Sequence, residues 1–109
     1  MKEVRRGMLS VNAEIEVVDG KRDDFLAEFH KVVPHVLAEA GCVEYGPMVD
    51  ADTDIPAQIP RRANIVTIVE KWESLDHLKA HLVAPHMTEY RGRVKEFVVS
   101  SVLRILDAA

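Results

Sequence analysis

The stretch ANIVTIVEKWESLDHLKAHLVAPHMTEY, residues 63–90, decides the fold of this chain. It opens with a run that is apolar on both sides, which indicates a central strand ending at Trp72. Ser74 is a good N-cap for a short helix over residues 75–82, and Pro85 suits the first position of a second helix. The stretch also holds the single tryptophan, three of the five histidines and one of the two tyrosines. Any chemistry on a small molecule is therefore expected to centre here.

Three further strands are predicted outside this stretch. Apolar and polar residues alternate over residues 8–18, a period of two that is typical of a half-buried strand. Residues 42–50 form a second strand, in which Gly46-Pro47 indicates a bulge or an edge position. Residues 98–106 are largely apolar on both sides and form the last strand.

A longer helix is predicted over residues 22–40, where apolar residues recur at helical spacing. Glu39 falls on the polar side of this helix. Pro34 is expected to kink it, and Gly41 is expected to cap it. The side chains that the two later helices are expected to bury are Leu75, Leu78 and Leu82 on the first, and Met87, Tyr90, Val94 and Phe97 on the second.

The order strand, helix, strand, strand, helix, strand predicts an α+β fold of the ferredoxin-like type, an antiparallel four-stranded sheet with helices on one face. The third and fourth strands are expected to be apolar on the uncovered face, which predicts a homodimer joined sheet to sheet. Residues 1–7 are expected to form a flexible N-terminal extension and residues 8–109 a single domain. The loop of residues 50–62 is either a lid or a solvated connection.

The composition excludes several classes of function. The chain has 109 residues, 48% of them hydrophobic, and a net charge of −4. A phosphate backbone is an unfavourable partner for such a chain, so no nucleic acid is expected. No stretch is long and apolar enough for a membrane span. Cys42 is the single cysteine, which rules out an intrachain disulfide. A cytoplasmic location is expected.

Two histidines are the candidate catalytic residues, because imidazole exchanges protons near neutral pH. His81 and His86 lie at the margins of the apolar faces of their helices, so both rings are able to face a gap between helices and sheet. The alternative is that each is a half-exposed surface histidine. His77 and His81 are four residues apart and share a helix face, but no third ligand stands at a recognised spacing. We therefore predict no metal site.

Five residues are candidates for substrate binding. Trp72 is expected either to cap the core or to form one wall of a flat pocket for an aromatic ligand. Glu70 shares the face of Trp72, and it is either a buried carboxylate paired with Arg104 or exposed at the strand end. The remaining candidates are Asn12, Tyr45 and Tyr90, of which the two tyrosines are of a type more often found in a core.

Two long segments resemble one known family. The segment EKWESLDHLKAHLVAPHM, residues 70–87, has the family's Glu-x-Trp at a strand end, a short helix with Ala-His, and then Pro-His. The segment VVPHVLAEAGCVEYGPMVD, residues 32–50, and the C-terminal VLRIL, residues 102–106, also match. On these residues the chain resembles the antibiotic biosynthesis monooxygenase superfamily, the dimeric α+β barrel proteins. Within it, the bacterial quinol monooxygenases are the most similar subgroup.

The resemblance implies a homodimer whose sheets form a barrel, with one pocket per subunit between the sheet and the helices. It also implies an enzyme that oxidises quinols such as menadiol to quinones with dioxygen. No metal or other cofactor is implied, and a part for flavin is left open. The positions that match the family pattern are Glu70, Trp72, His81 and His86. Haem-degrading members carry a helix tryptophan where this chain has His81, so the resemblance does not extend to that reaction.

Three functions are compatible with these residues. In the first, a hydroquinone binds between Trp72 and Tyr45, His81 or His86 accepts a phenolic proton, and Asn12 or a backbone N–H holds the second oxygen. In the second, the same histidines move protons without dioxygen, as in an isomerase or tautomerase. In the third, the protein binds a quinone without turnover.

Overall fold

A computed structural model describes residues 7–109. Within them, four strands and three helices occur in the order β1 (Leu9–Val17), α1 (Arg22–Leu37), β2 (Cys42–Met48), β3 (Ile65–Trp72), α2 (Leu75–Leu82), α3 (Pro85–Val94) and β4 (Val98–Asp107). The strands form one antiparallel sheet in the order β2-β3-β1-β4. The α+β, ferredoxin-like fold expected from the sequence is confirmed. Apart from Gly7, the expected extension of residues 1–7 lies outside the described residues.

The core lies between one face of the sheet and the helices. Alternate residues of β1 and β3 face it, and Val11 on β1 pairs with Glu70 on β3 in one buried row. Phe25 and Phe29 of α1 are almost completely buried, with their ring centroids 6.1 Å apart. The helix α3 contributes three of the side chains expected from its spacing, Met87, Tyr90 and Val94. In the described part of the chain, no helix has both the length and the apolar composition that spanning a bilayer requires.

The sheet face without helices is mixed, and the prediction that it is apolar on the third and fourth strands is wrong for β3. On this face β1 carries Asn12 and Glu14, and β3 carries the polar Lys71 next to the apolar Val69. The apolar surface is concentrated on β4, an edge strand that the helices do not cover. Its large side chains are therefore exposed on both faces, and they are Val99, Val102, Leu103, Ile105 and Leu106.

The strand β2 lies at the opposite edge of the sheet from β4. The edge position expected from Gly46-Pro47 is therefore confirmed. The irregularity in pairing lies earlier in the strand, between Cys42 and Glu44, where the register against β3 shifts. At Pro47, which has no backbone N–H, the strand pairs in regular register with Ile68. An edge strand tolerates proline because one of its sides has no ladder partner to lose.

The helix α1 runs through Pro34 and ends at Leu37, earlier than expected. A turn then leads to Gly41, whose φ of +79° is a conformation that residues with a Cβ rarely adopt. A Cβ at this position would collide with the ring of His77 on α2. The carbonyl of Gly41 accepts a hydrogen bond of 2.8 Å from the backbone N–H of Glu73. Glycine at this position therefore lets the turn after α1 approach α2 closely.

The helix α2 begins at the expected N-cap, Ser74, but its buried side differs from the prediction. Leu78 and His81 face the core, whereas Leu75 and Leu82 are 47% and 38% exposed. With eight residues, α2 has room for a single buried stripe, and positions three apart occupy it. A histidine is tolerated there because its ring has the polar partners described below.

The loop of residues 50–62 is closed at its base by an ionic bridge. Arg62 donates hydrogen bonds to both carboxylate oxygens of Asp50, from Nε at 2.8 Å and from Nη2 at 3.1 Å. Its Nη1 also donates to Glu14 on β1. The residues between the two ends are almost all exposed. In this conformation the loop is therefore a solvated connection.

We expect Gly41→Ala to lower the free energy of unfolding by about 1 kcal/mol or more, because alanine is strained at this φ and its Cβ meets the ring of His77. Gly92→Ala in α3 is the matched control, since nothing lies within 4 Å of the position of its Cβ. Alanine in a helix interior gains about 0.5–1 kcal/mol over glycine. Urea denaturation measures both variants, and equal stabilities would contradict the role given to Gly41.

Candidate active site

His81 lies in the last turn of α2 with its ring inside the core. Only 2% of the residue is exposed. The ring centroid lies 4.6 Å from that of Trp72 on β3 and 5.4 Å from that of Tyr45 on β2. His81 is therefore enclosed by aromatic side chains, and the alternative of a half-exposed surface histidine is wrong for this residue.

Glu39 joins the two candidate histidines. It lies just beyond the end of α1, in the turn that Gly41 completes. Its Oε2 is 2.9 Å from Nδ1 of His81 and 2.7 Å from Nε2 of His86. The helical pattern of residues 22–40 predicted that Glu39 lies on the polar side of a longer helix, and it gave no sign of this role. Gly41, two positions later, is the sequence feature that could have revealed this role. A turn at the glycine removes Glu39 from the helical face and directs it towards α2 and α3.

Glu70 is a second carboxylate beside His81; it is buried, whereas Glu39 is partly buried, and it lies nearer Nε2 than Nδ1 of the ring. Its Oε1 accepts a hydrogen bond of 2.9 Å from Nε1 of Trp72 and lies 4.0 Å from Nε2 of His81. Burial raises the pKa of Glu70 to about 6; the hydrogen bond from Trp72 opposes this shift and the charge of Glu39 adds to it. The ion pair between Glu70 and Arg104, one of the two alternatives expected for Glu70, is not formed. Arg104 lies opposite Asn12 on the other face of the sheet.

The surroundings of His81 favour the neutral imidazole. Burial lowers the pKa of His81, because removal from water disfavours the imidazolium. The hydrogen bond to Glu39 and its charge act in the opposite direction, and the electrostatic influence of Arg91 and His86 lowers the pKa further. A neutral imidazole has one unprotonated nitrogen, which is what a general base requires.

His86 lies near the surface at the start of α3, with 27% of its side chain exposed. Its ring stacks on that of His35 from α1, with centroids 5.9 Å apart. The two rings line a cleft of about 280 Å³ together with Lys31, Val32, Glu89 and Arg93. His86 therefore connects the buried part of the site, through Glu39, to an open surface.

The two tyrosines continue the aromatic packing away from His81. The ring of Tyr45 stacks on Phe29 at 5.4 Å, and Phe29 meets Tyr90 edge to face at 5.6 Å. Burial raises the pKa of both Tyr45 and Tyr90, so both phenols keep their protons. Tyr45 contacts His81 directly, whereas Tyr90 lies two rings further on and lines a separate cleft of about 390 Å³ between α3 and β4.

Asn12 is separated from the other candidates by the sheet. It faces the side without helices, where it lines a cleft of about 230 Å³ with Glu14, Arg62, Thr67, Val102 and Arg104. The structure thus brings together Tyr45, Glu70, Trp72, His81 and His86, and leaves Asn12 outside this cluster. His77 also lies apart, with its Nδ1 2.7 Å from the hydroxyl of Ser74. Within residues 7–109, no group of three His, Cys, Asp or Glu side chains is arranged to hold a metal ion.

Comparison with known proteins identifies the class. Residues 8–93 match the family model described as antibiotic biosynthesis monooxygenase. The Probable quinol monooxygenase YgiN of Escherichia coli (strain K12) is 45% identical over 102 residues, which cover 92% of this chain and 97% of that protein. The protein of the same name from Shigella flexneri matches to the same extent. The chain belongs to the antibiotic biosynthesis monooxygenase family, and the expectation of an enzyme of this class is confirmed.

Solved structures with low sequence identity share the fold. The protein SO0527 from Shewanella oneidensis has a TM-score of 0.80 at 21% identity, covering 97% of this chain and 95% of that one. PA3566 from Pseudomonas aeruginosa has a TM-score of 0.79 at 18% identity, covering 98% and 99% of the two chains. At these identities the similarities show the shared fold alone.

We expect the raised pKa of Glu70 to be visible in the pH dependence of stability. Between an unfolded value of 4.5 and a folded value of about 6, the folded state binds more protons than the unfolded state. The Glu70 contribution to the free energy of unfolding therefore falls as pH rises through this window, by about 2 kcal/mol in total. Glu70→Gln keeps an acceptor for Trp72 and removes this fall.

Urea denaturation at about pH 4 and about pH 7 measures the effect of Glu70→Gln. The variant is expected to gain stability relative to wild type at the higher pH. The lowered pKa of His81 gives a contribution of opposite sign, which is present in both proteins and largely cancels in the comparison. Glu73→Gln, at an exposed neighbouring position, is the control. The same pH dependence for Glu70→Gln and wild type would contradict a raised pKa.

Proposed function

We propose that this protein is a quinol monooxygenase that oxidises a hydroquinone of the menadiol type with dioxygen, using His81 as general base. The observation that carries the proposal is the buried imidazole of His81, whose Nδ1 lies 2.9 Å from a carboxylate oxygen of Glu39 and whose ring is enclosed by Trp72 and Tyr45. Aromatic walls suit a flat aromatic substrate. The relative that is 45% identical, named Probable quinol monooxygenase YgiN, supports the same substrate class.

The chemistry begins with a proton transfer. The unprotonated nitrogen of His81 accepts the proton of a quinol hydroxyl, and the resulting quinolate gives up electrons more readily than the quinol. In a simple oxidation, the quinol loses two protons and two electrons, and dioxygen leaves as hydrogen peroxide. If one oxygen atom enters the ring, the substrate loses four electrons, and the other oxygen atom leaves as water. A positioned base accelerates such a step by about 10²–10⁴-fold.

The site is closed in the conformation described. Trp72 is 0% exposed and His81 2% exposed, so a quinol reaches the imidazole only after the surrounding side chains move. The corner between α2 and α3 is the natural place for this movement, because Leu82 and Val83 there are exposed and make no part of the buried core. Closure around a bound ring would exclude water from the reacting atoms.

We expect His81→Asn to lower the rate of menadiol oxidation in air by about 10²-fold or more, because the variant lacks the nitrogen that accepts the proton. Asparagine retains an N–H close to the position of Nδ1, so the hydrogen bond to Glu39 and the packing are best preserved. Quinone formation and oxygen uptake are measured together. The exposed His30→Asn on α1 is the matched control. An unchanged rate in folded His81→Asn would remove His81 from this role.

We also propose that the active form is a homodimer joined through the sheet, as the barrel family resemblance implies. The strand β4 pairs with β1 on one side and exposes five large apolar side chains. Val102 and Leu106 project from the face without helices, in the rows of Glu14 and Ser10. A second sheet packed on this face would remove the apolar part of that surface from water.

We expect the double variant Val102→Lys and Leu106→Lys to shift the protein from dimer to monomer in analytical ultracentrifugation, because charges on this face oppose its burial. Val83→Lys, at an apolar position that is 77% exposed on the corner between α2 and α3, is the control and is expected to leave the dimer intact. A wild-type protein that sediments as a monomer at micromolar concentration would contradict the homodimer.

A second function, isomerisation of a small carbonyl compound, is favoured by one observation. The polar groups beside His81 are the carboxyl groups of Glu39 and Glu70, and proton transfer alone suffices for a tautomerase. Oxygen uptake separates the two reactions, since an isomerase converts its substrate without consuming dioxygen.

A further inference from the structure

The carboxylate of Glu39 determines which nitrogen of His81 is free to act. Its Oε2 lies within hydrogen-bond distance of Nδ1 of His81 and of Nε2 of His86. As a carboxylate, Glu39 can only accept hydrogen bonds, so both of these ring nitrogens must carry a proton. A neutral His81 with a proton on Nδ1 has its lone pair on Nε2.

The nitrogen left free on His81 faces the aromatic enclosure. Nε2 lies 4.0 Å from Oε1 of Glu70, the oxygen that also accepts from Trp72. In the other tautomer, the lone pair would stand on Nδ1 against Oε2 of Glu39, so that two acceptors would face each other at 2.9 Å. Glu39 therefore favours the tautomer whose basic nitrogen points away from Glu39 and towards the side of the ring where Glu70 and Trp72 lie.

His86 is placed to hold Glu39. Its Nε2 is engaged by Oε2 of Glu39 at 2.7 Å, and its ring is supported by stacking on His35. The same ring nitrogen cannot also accept a proton from a substrate. With His81 fully enclosed and His86 partly exposed, the two histidines occupy different environments on either side of one carboxylate.

We propose that Glu39 is a positioning residue that fixes the tautomer of His81 and stabilises its imidazolium, and that His86 acts through Glu39 as a clamp and not as a second base. The kinetic part of this proposal rests on the proposed function. In the reaction, Nε2 of His81 takes the proton of the substrate hydroxyl, while the Nδ1 proton stays in its hydrogen bond to Glu39. The positive charge that forms on the ring is balanced by the carboxylate.

The charged and titratable groups that surround His81 define the expected pH effect. They come from each element packed against the ring: Glu39 after α1, Tyr45 on β2, Glu70 on β3, and His86 and Arg91 on α3. Of these, Glu39 contributes a negative charge in direct contact with the imidazole. Its replacement by glutamine removes the charge that favours the imidazolium, so the acid limb of the pH profile of kcat/KM should move to lower pH.

The kinetic test compares conservative and disruptive variants. Glu39→Gln is expected to lower kcat for menadiol oxidation by about 10²-fold or more, since an amide no longer selects the productive tautomer. Glu39→Asp is expected to restore part of this loss. His86→Leu is expected to lose about tenfold, and His86→Gln, whose amide N–H replaces Nε2–H, is expected to recover most of that loss. His30→Gln, at an exposed position on α1, is the control and is expected to leave kcat unchanged.

A second measurement needs no substrate. In ¹⁵N spectra of ring-labelled protein, His81 should be held in the tautomer protonated on Nδ1 in wild type, and it should become a mixture of tautomers in Glu39→Gln.

The outcomes separate the two proposals. If the spectra show this difference between wild type and Glu39→Gln but the wild type oxidises no quinol, the proposed function is refuted and the positioning role stands. An active wild type in which Glu39→Gln alters neither the rate, the pH profile nor the tautomer would overturn the positioning role. A loss in His86→Gln as large as in His81→Asn would overturn the clamp.

Discussion

One oxygen atom, Oε2 of Glu39, joins the three helices of this fold. It lies just after α1 and accepts hydrogen bonds from a histidine on α2 and a histidine on α3, at 2.9 and 2.7 Å. Hydrogen bonds to a charged group are stronger than neutral ones. The carboxylate is only 14% exposed, so loss of its partners would leave an uncompensated charge and destabilise the fold. The position of α2 and α3 over the sheet and the arrangement of the candidate base therefore depend on the same contact.

Local structure brings this oxygen into place. The helix α1 ends at Leu37, and Gly41 then turns the chain so closely onto α2 that no larger residue fits beside His77. Ser74 fixes where α2 begins, and hence which of its side chains face the sheet. Behind His81, Tyr45 and Phe29 stack in a column of rings that leaves the imidazole little room to turn. Rigid support of this kind holds a catalytic group in one geometry.

Much of the fold could be predicted from the sequence, because periodicity reports which sides of strands and helices are buried. The site was harder to predict. His81 and Trp72 were found from one continuous motif, but Glu39 lies 42 residues from His81 and meets it only after folding. Asn12 was assigned to the same pocket because a polar side chain on a strand does not reveal which sheet face the ligand uses. Leu75 was expected on the buried side of α2, but the hydrogen-bonded His81 lies on that side instead. Hydrophobicity alone could not predict that a histidine is buried in preference to a leucine.

The ion pair between Arg62 and Asp50 closes a surface loop that should tolerate insertions. The hydrogen bonds of Arg62 fasten the two ends of the loop to each other and to Glu14, and the residues between these ends are almost all exposed. Lengthening a flexible loop is inexpensive, at about 0.6 kcal/mol for each doubling. Foreign peptides, affinity tags or fluorescent labels inserted among these exposed residues should leave the sheet and the histidines undisturbed. Natural relatives are free to diverge in length at the same point.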